Sequence, residues 1–182
     1  MRIKSIVVTM VVLLVAGIAH GQQTYLLNPG DKVLIEVWNE PDMQRDVLIL
    51  PDGNISFPLA GQIPAAGTTT QQLQDTIAER LSQYLSSPVV TISVTEMTGN
   101  SIYLIGQVNS PGVFVMSRPM TALQALSLSG GFTAFAQTKR IKIIRKSPDG
   151  EQVLRVNYDD LAGGNNLQTN HLLRSGDVLV VP

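Results

Sequence analysis

Asn28-Pro29-Gly30-Asp31-Lys32-Val33-Leu34-Ile35-Glu36-Val37-Trp38 is a turn running straight into a strand. Its first four residues are turn formers: proline presets φ, and glycine accepts the positive φ that closes a turn. Side chains alternate along the strand that follows, so Val33, Ile35 and Val37 share one face while Leu34, Glu36 and Trp38 share the other. The all-apolar face is the buried one. Trp38, on a face with Leu34, is expected to pack in a core or an interface rather than to stack on a sugar ring.

Outward from this stretch the chain reads as short strands broken by turns. Residues 46–50 and 54–57 are strands flanking Pro51-Asp52-Gly53, a proline–glycine hairpin signal, and residues 61–67 end the strand region. A helix follows. Thr68 with Gln71, or Thr69 with Gln72, fits a capping box, and Leu73, Ile77, Leu81 and Leu85 form an apolar stripe. Ser86-Ser87-Pro88 stops it, and residues 89–95 alternate as a strand.

Thr98-Gly99-Asn100 marks a boundary, after which the cycle repeats. Residues 101–108 and 113–116 are strands around Ser110-Pro111-Gly112. Residues 121–129 form a short helix ended by Gly130-Gly131. Residues 140–146 and 151–156 are strands joined by Ser147-Pro148-Asp149-Gly150, and residues 177–181 form the last strand. The fold class is therefore α+β, in two small mixed units that divide near residue 98.

The first residues stand apart. Met1-Arg2-Ile3-Lys4 is basic, Ile6 to Ala19 carries no charge, and Ala19-His20-Gly21 offers small residues for cleavage. This favours a cleaved export signal over residues 1–21 rather than a spanning anchor, which needs about 20 apolar residues. Setting that segment aside removes Arg2 and Lys4, leaving 11 basic against 14 acidic residues, a net charge of −3. A mildly acidic chain has no general attraction for nucleic acid. With no cysteine there is no disulfide framework, thiolate metal site or cysteine nucleophile, and with His20 in the signal only His171 remains. No cofactor or metal site is read from this inventory.

Taken in order, these segments resemble the Wza-like polysaccharide export family of Gram-negative bacteria. Residues 22–98 look like its export domain, through Tyr25-Leu26-Leu27-Asn28-Pro29-Gly30-Asp31, Glu36-Val37-Trp38, Pro51-Asp52-Gly53, Phe57-Pro58-Leu59-Ala60-Gly61, Leu81-Ser82-Gln83-Tyr84 and Pro88-Val89-Val90. Residues 99–182 look like a soluble ligand-binding β-grasp (SLBB) module, through Gly106-Gln107-Val108, Ser110-Pro111-Gly112, Leu123-Gln124-Ala125-Leu126, Gly130-Gly131 and Leu173-Arg174-Ser175-Gly176-Asp177. The resemblance implies a periplasmic homo-oligomeric ring beneath an outer-membrane opening, passing a sugar polymer in transit, with an inner-membrane polysaccharide co-polymerase as partner. Two departures accompany it: no cysteine is present for a lipid, and residues 180–182 follow directly on the last strand where full-length members continue into a pore-lining helix. A separate outer-membrane barrel as partner, or an adaptor role, is the expectation that follows.

Candidate sites are few. Gly30-Asp31 and Gly176-Asp177 are read as turn glycines whose aspartates accept backbone amides, in preference to metal or ligand positions. Asp52, Gly53, Pro58, Gly61, Gly106, Pro111, Gly112, Gly130 and Gly131 are family-motif turn positions. Lys139, Arg140, Lys142, Arg145 and Lys146 form the one basic cluster, read as a solvated edge strand before an anion or subunit contact. Asp159 and Asp160 are read as caps of the turn before Leu161, not as a glycosidase pair with Glu151, and Glu36 and Glu40 likewise form no such pair. His171 is placed in a surface loop without triad partners. The chain is read as a transport component and not an enzyme; the alternative is a monomeric periplasmic ligand-binding or adaptor module using the β-grasp unit.

Overall fold

The computed structural model describes residues 24–182, and the expected export signal with its cleavage site and His20 lies outside the described residues. Two α+β units follow one another, each with its own core, and no residue is shared between the two cores.

The first unit contains β1 (Lys32–Val37), β2 (Arg45–Leu48), β3 (Asn54–Phe57), β4 (Gly61–Pro64), α1 (Thr70–Leu81) and β5 (Val90–Glu96). An antiparallel sheet in the order β2-β1-β5 puts β1 at its centre, while β3 and β4 form a separate hairpin. Alternation along β1 holds: Val33, Ile35 and Val37 are buried and their neighbours half-buried. Helix α1 is started by Thr69, whose hydroxyl accepts from the Gln72 amide at 3.1 Å while Gln72 Oε1 accepts from the Thr69 amide at 2.9 Å. Thr68 does not take that role; its hydroxyl donates back to the Ala65 carbonyl at 2.7 Å. The helix buries Leu73, Ile77 and Leu81 and packs against β5.

Two local readings change. Gly61–Pro64 is a strand, pairing residue for residue with β3, and not the end of the strand region. The Pro51–Gly53 turn does close, with the Gly53 amide donating to Leu50 O at 2.8 Å. Its flanking strands nevertheless part into different sheets. Ile49 exchanges backbone bonds with Gly30 and Asp31, at 2.8 and 2.9 Å, which extends the pairing of this strand with the β1 side. Toward β3, the Leu50 amide donates to Asn54 O at 2.9 Å, and β3 pairs along β4.

The second unit contains β6 (Ser101–Gly106), β7 (Gly112–Val115), α2 (Ala122–Leu128), β8 (Ile141–Ser147), β9 (Gly150–Val156), α3 (Tyr158–Ala162) and β10 (Val178–Val181). Its sheet runs β7-β6-β10-β8-β9, with β10 parallel to β6 and antiparallel to β8. Helix α2, capped by Thr121 and Gln124 in the same reciprocal way as α1, contributes Ala122, Ala125 and Leu126 to the core. Asp159 and Asp160 do not cap α3. Asn157 does, accepting from the Asp160 amide at 3.4 Å, because the cap must precede the first turn and both aspartates lie inside it.

At the end of the parallel pair, Gly106 lies at φ +98°, and a Cβ there would sit 1.9 Å from the Val181 carbonyl oxygen. Gly106→Ala is expected to destabilise the chain by at least about 2 kcal/mol, from left-handed strain plus a backbone clash. Urea unfolding followed by circular dichroism measures this, and an unchanged midpoint would show that β6 and β10 separate there without cost.

Candidate functional site

The two Gly-Asp turns are built alike and meet at one place. In the first, Asp31 donates its amide to the Asn28 carbonyl at 3.0 Å, and its Oδ2 accepts from the Asn28 amide at 2.8 Å. In the second, Asp177 donates to the Arg174 carbonyl at 3.1 Å and accepts from the Arg174 amide at 2.8 Å. Gly30 and Gly176 take the positive φ, +95° and +82°, that each loop needs.

Both aspartates are buried, so each must find partners for its remaining lone pairs. Asp31 takes neutral donors: the Tyr25 hydroxyl on Oδ2, and the Gly99 amide on Oδ1 at 3.0 Å. Asp177 takes a guanidinium, with Arg145 Nε and Nη2 donating to Oδ1 and Oδ2 at 2.8 and 2.6 Å in a bidentate fork. That carboxylate pushes Arg145 further up from its already high pKa. Burial, then the hydrogen bond to Asp31, pushes the Tyr25 hydroxyl well above its ordinary value of 10.0.

The linker between the units is where these turns converge. Thr98 Oγ1 donates to Gly30 O at 2.5 Å, Ser175 Oγ donates to Gly99 O at 2.7 Å, and the Gly176 amide donates to Ser101 O at 2.8 Å. Gly99 is wedged against the first turn: a Cβ there would lie 2.3 Å from the Pro29 oxygen. Linker and turn residues thus bond the two units to each other.

The basic cluster divides by strand alternation. Ile141, Ile143 and Arg145 face the core side of β8, which is how Arg145 reaches Asp177. Lys142, Ile144 and Lys146 face outward. β8 is not the edge strand expected of it, since it lies between β10 and β9. The β8–β9 hairpin register sets Arg155 opposite Lys142 and Glu151 opposite Lys146. Lys139, Arg140, Lys142 and Arg155, with Ile141, line a surface cleft of about 230 Å³. Lys139 lies 3.7 Å from Asp159.

Of the core and interface readings of Trp38, the core one is overturned: the side chain is 73% exposed. Strand β1 ends at Val37, and the chain turns away through Asn39 at φ +62°, so the indole is left beyond the sheet. It lines a cleft of about 450 Å³ with Glu36, Asn39, Glu40, Gln44 and Val89 among its neighbours.

The remaining motif positions form turns and ends. Asp52 Oδ1 accepts the Asn54 amide at 2.9 Å, and its hydrogen bonding to Asn54 holds this carboxyl below its ordinary range. Pro58 O accepts from the Ala60 amide, Gly61 opens β4, and Pro111-Gly112 leads into β7. Gly130 O accepts from Asn109 Nδ2 after α2. His171 is half-buried and uses its backbone carbonyl to receive the Ala122 amide. Among the described residues no group of three or more histidine, aspartate or glutamate side chains is placed to hold a metal ion.

Residues 19–95 match a family model described as polysaccharide biosynthesis/export protein, and residues 100–181 match a model of the SLBB domain. The chain belongs to the Wza-like polysaccharide export protein family. It is 26% identical over 182 residues to the EPS I polysaccharide export outer membrane protein EpsA of Ralstonia nicotianae, a match covering 86% of this chain and 47% of that protein. It is 27% identical over 177 residues to the capsule polysaccharide export outer membrane protein CtrA of Neisseria meningitidis, covering 87% and 44%. The polysialic acid transport protein KpsD of Escherichia coli matches over 108 residues at 28%, covering 59% and 19%. The chain thus spans about half the length, or less, of these curated relatives.

Within this export-family chain, sequence reasoning missed the tie between Asp31 and Gly99, because those residues are 68 positions apart. It also missed Arg155, although the Ser147–Gly150 turn carries the signal. Counting back from that turn sets 142 opposite 155.

Asp31→Ala would strand the Asn28 and Gly99 amides and is expected to cost about 3 kcal/mol. It should also uncouple the units: hydrogen exchange is expected to be concerted in the parent chain and, in the variant, to separate into distinct opening of residues 24–96 and 101–181. A single concerted opening in the variant would remove the junction role from Asp31. Tyr25 adds a pH signature. Its folded pKa lies above the unfolded value, so its contribution is complete below pH 10.0 and is lost as pH rises toward the folded value. Tyr25→Phe should flatten that alkaline loss in thermal melts, and an identical profile in both proteins would discount the Tyr25–Asp31 bond.

Proposed function

We propose that this chain is a non-catalytic subunit of a polysaccharide-export conduit. In this reading it works in the periplasm against the outer membrane, in a homo-oligomeric ring. It passes a capsule or exopolysaccharide chain delivered by an inner-membrane polysaccharide co-polymerase. One observation supports the reading most: export and SLBB units match in order and are tied to each other by the Asp31–Gly99 bond. The names of the relatives, export outer membrane proteins and a transport protein, support the same role.

The side chains support passage over capture. Aromatic residues are 5% of the sequence, which limits stacking platforms on which a sugar chain would stall. A dedicated ligand-binding module would instead be expected to offer a concave, mostly apolar pocket with convergent polar groups. The two clefts described above open on the surface, one lined by Trp38, Val89 and two glutamates among others, the other mainly by lysine and arginine. No helix among the described residues is long and apolar enough to cross a membrane, which leaves strand-built barrels open.

Deletion with complementation tests the role, with polysaccharide outside the cell as the readout. Surface or secreted polymer should fall on deletion and return with the gene. Unchanged polymer in a strain without a related copy would overturn the export reading and favour the monomeric binding module.

A further inference from the structure

The two units carry opposite charge. Residues 24–98 hold three basic residues, Lys32, Arg45 and Arg80, against nine acidic ones, a net of −6; residues 99–182 hold eight basic against five acidic, a net of +3. Little of this is neutralised at the clefts. The ion pairs among the described residues are Lys32–Glu96, Lys139–Asp159 and Arg145–Asp177. Glu36 and Glu40 on the Trp38 cleft, and Arg140, Lys142 and Arg155 on the other, have no ionic partner among the described residues.

An apolar surface adjoins the basic cleft. Pairing registers place Val113, Tyr103, Val178, Ile144 and Val153 in one row across all five strands of the second sheet. This row lies opposite the face that buries Ile102, Leu104, Ile143 and Leu179. Val113, Tyr103 and Val153 are exposed, at 59%, 45% and 55%. The next row contains Ile105, Val180, Lys142 and Arg155, so the cations flank the apolar row on the same face. An uncovered apolar row edged by arginine and lysine has the composition of a protein–protein interface.

The Trp38 cleft is its counterpart. There an exposed tryptophan and Val89, 60% exposed, stand beside two unpaired carboxylates. Pairing two sheet faces would set Lys142 and Arg155 against like charges, and pairing two Trp38 clefts would set glutamates against glutamates. Both cost energy, whereas the crossed pairing neutralises both. We infer that copies of this chain join head to tail, the Trp38 cleft of one seating on the sheet face of the next. Trp38 and Val89 cover the apolar row, and Glu36 and Glu40 face Lys142 and Arg155. Such a contact is heterologous, and repeating it about an axis closes a ring. The inference rests on the ring reading above and deepens it by naming the two surfaces.

One-sided variants of the purified exported chain test this by sedimentation velocity over a rising concentration series. Glu36→Lys/Glu40→Lys spoils only the cleft, and Val113→Lys/Val153→Lys spoils only the sheet face. All four positions are at least partly exposed, so circular dichroism and melting should match the parent. Each variant alone should self-associate at least about tenfold more weakly than the parent. An equimolar mixture should form dimers of one copy of each and stop there, because one good surface of each kind remains. Parent-like association of either variant, or a mixture giving only homodimers, overturns the contact while leaving a ring by other surfaces standing. A parent chain that stays monomeric throughout overturns the contact and leaves the export role to the deletion experiment. A soluble acidic polysaccharide that binds the parent, loses binding in Lys142→Glu/Arg155→Glu and leaves association unchanged would assign the basic cleft to polymer and overturn the contact as well.

Discussion

The Asp31 carboxylate is the group on which the arrangement of this protein turns. It is buried without a cation beside it and is satisfied by a hydroxyl and two backbone amides, one of them from the far side of the linker. A buried carboxylate that loses a donor pays a desolvation penalty larger than the net value of an ordinary surface hydrogen bond. The linker is therefore held where Gly99 can reach Oδ1, and the glycine is required because the Pro29 carbonyl occupies the space a side chain would take. The geometry of the first turn, through one amide, sets where the second unit begins.

The second turn answers from the other side with different chemistry. Its backbone loop is the same, but its aspartate is held by an arginine rising from the core face of β8. One turn thus couples the units through neutral donors, and the other anchors β10 to β8 through a charge pair. Ser175 and Gly176 then bond back to Gly99 and Ser101. These short polar contacts tie the two units together without a shared apolar core.

Much of the fold was legible because it is local. Alternation in Lys32–Val37, the Thr69–Gln72 box and the Ser147–Gly150 hairpin are each decided within a few residues. What escaped depended on competition or distance. Pro51-Asp52-Gly53 is good hairpin chemistry, yet the strand before it pairs with β1 and the strand after it with β4. Asp159 and Asp160 have capping side chains, but Asn157 held the position. The basic run looked like one patch, and only the strand's period of two separates Arg145 from Lys142. The core half of the Trp38 reading failed because β1 ends one residue before it, which leaves the indole beyond the sheet. The turn residues of the junction were all visible in the sequence, while the meeting of the two turns at Gly99 was not.

The place of β10 has a consequence for how the chain is made. β6 with β7, and β8 with β9, are hairpins that can form from neighbouring residues, but β10 is the only strand joining them, and it pairs Val178 with Tyr103 across 75 positions. Until it inserts, the second unit is two ribbons with facing open edges. Either edge will accept any strand of matching pattern, including β10 from a neighbouring molecule. At high concentration, newly made chains therefore have a route to exchange this strand, and faster insertion of β10 leaves less time for that exchange.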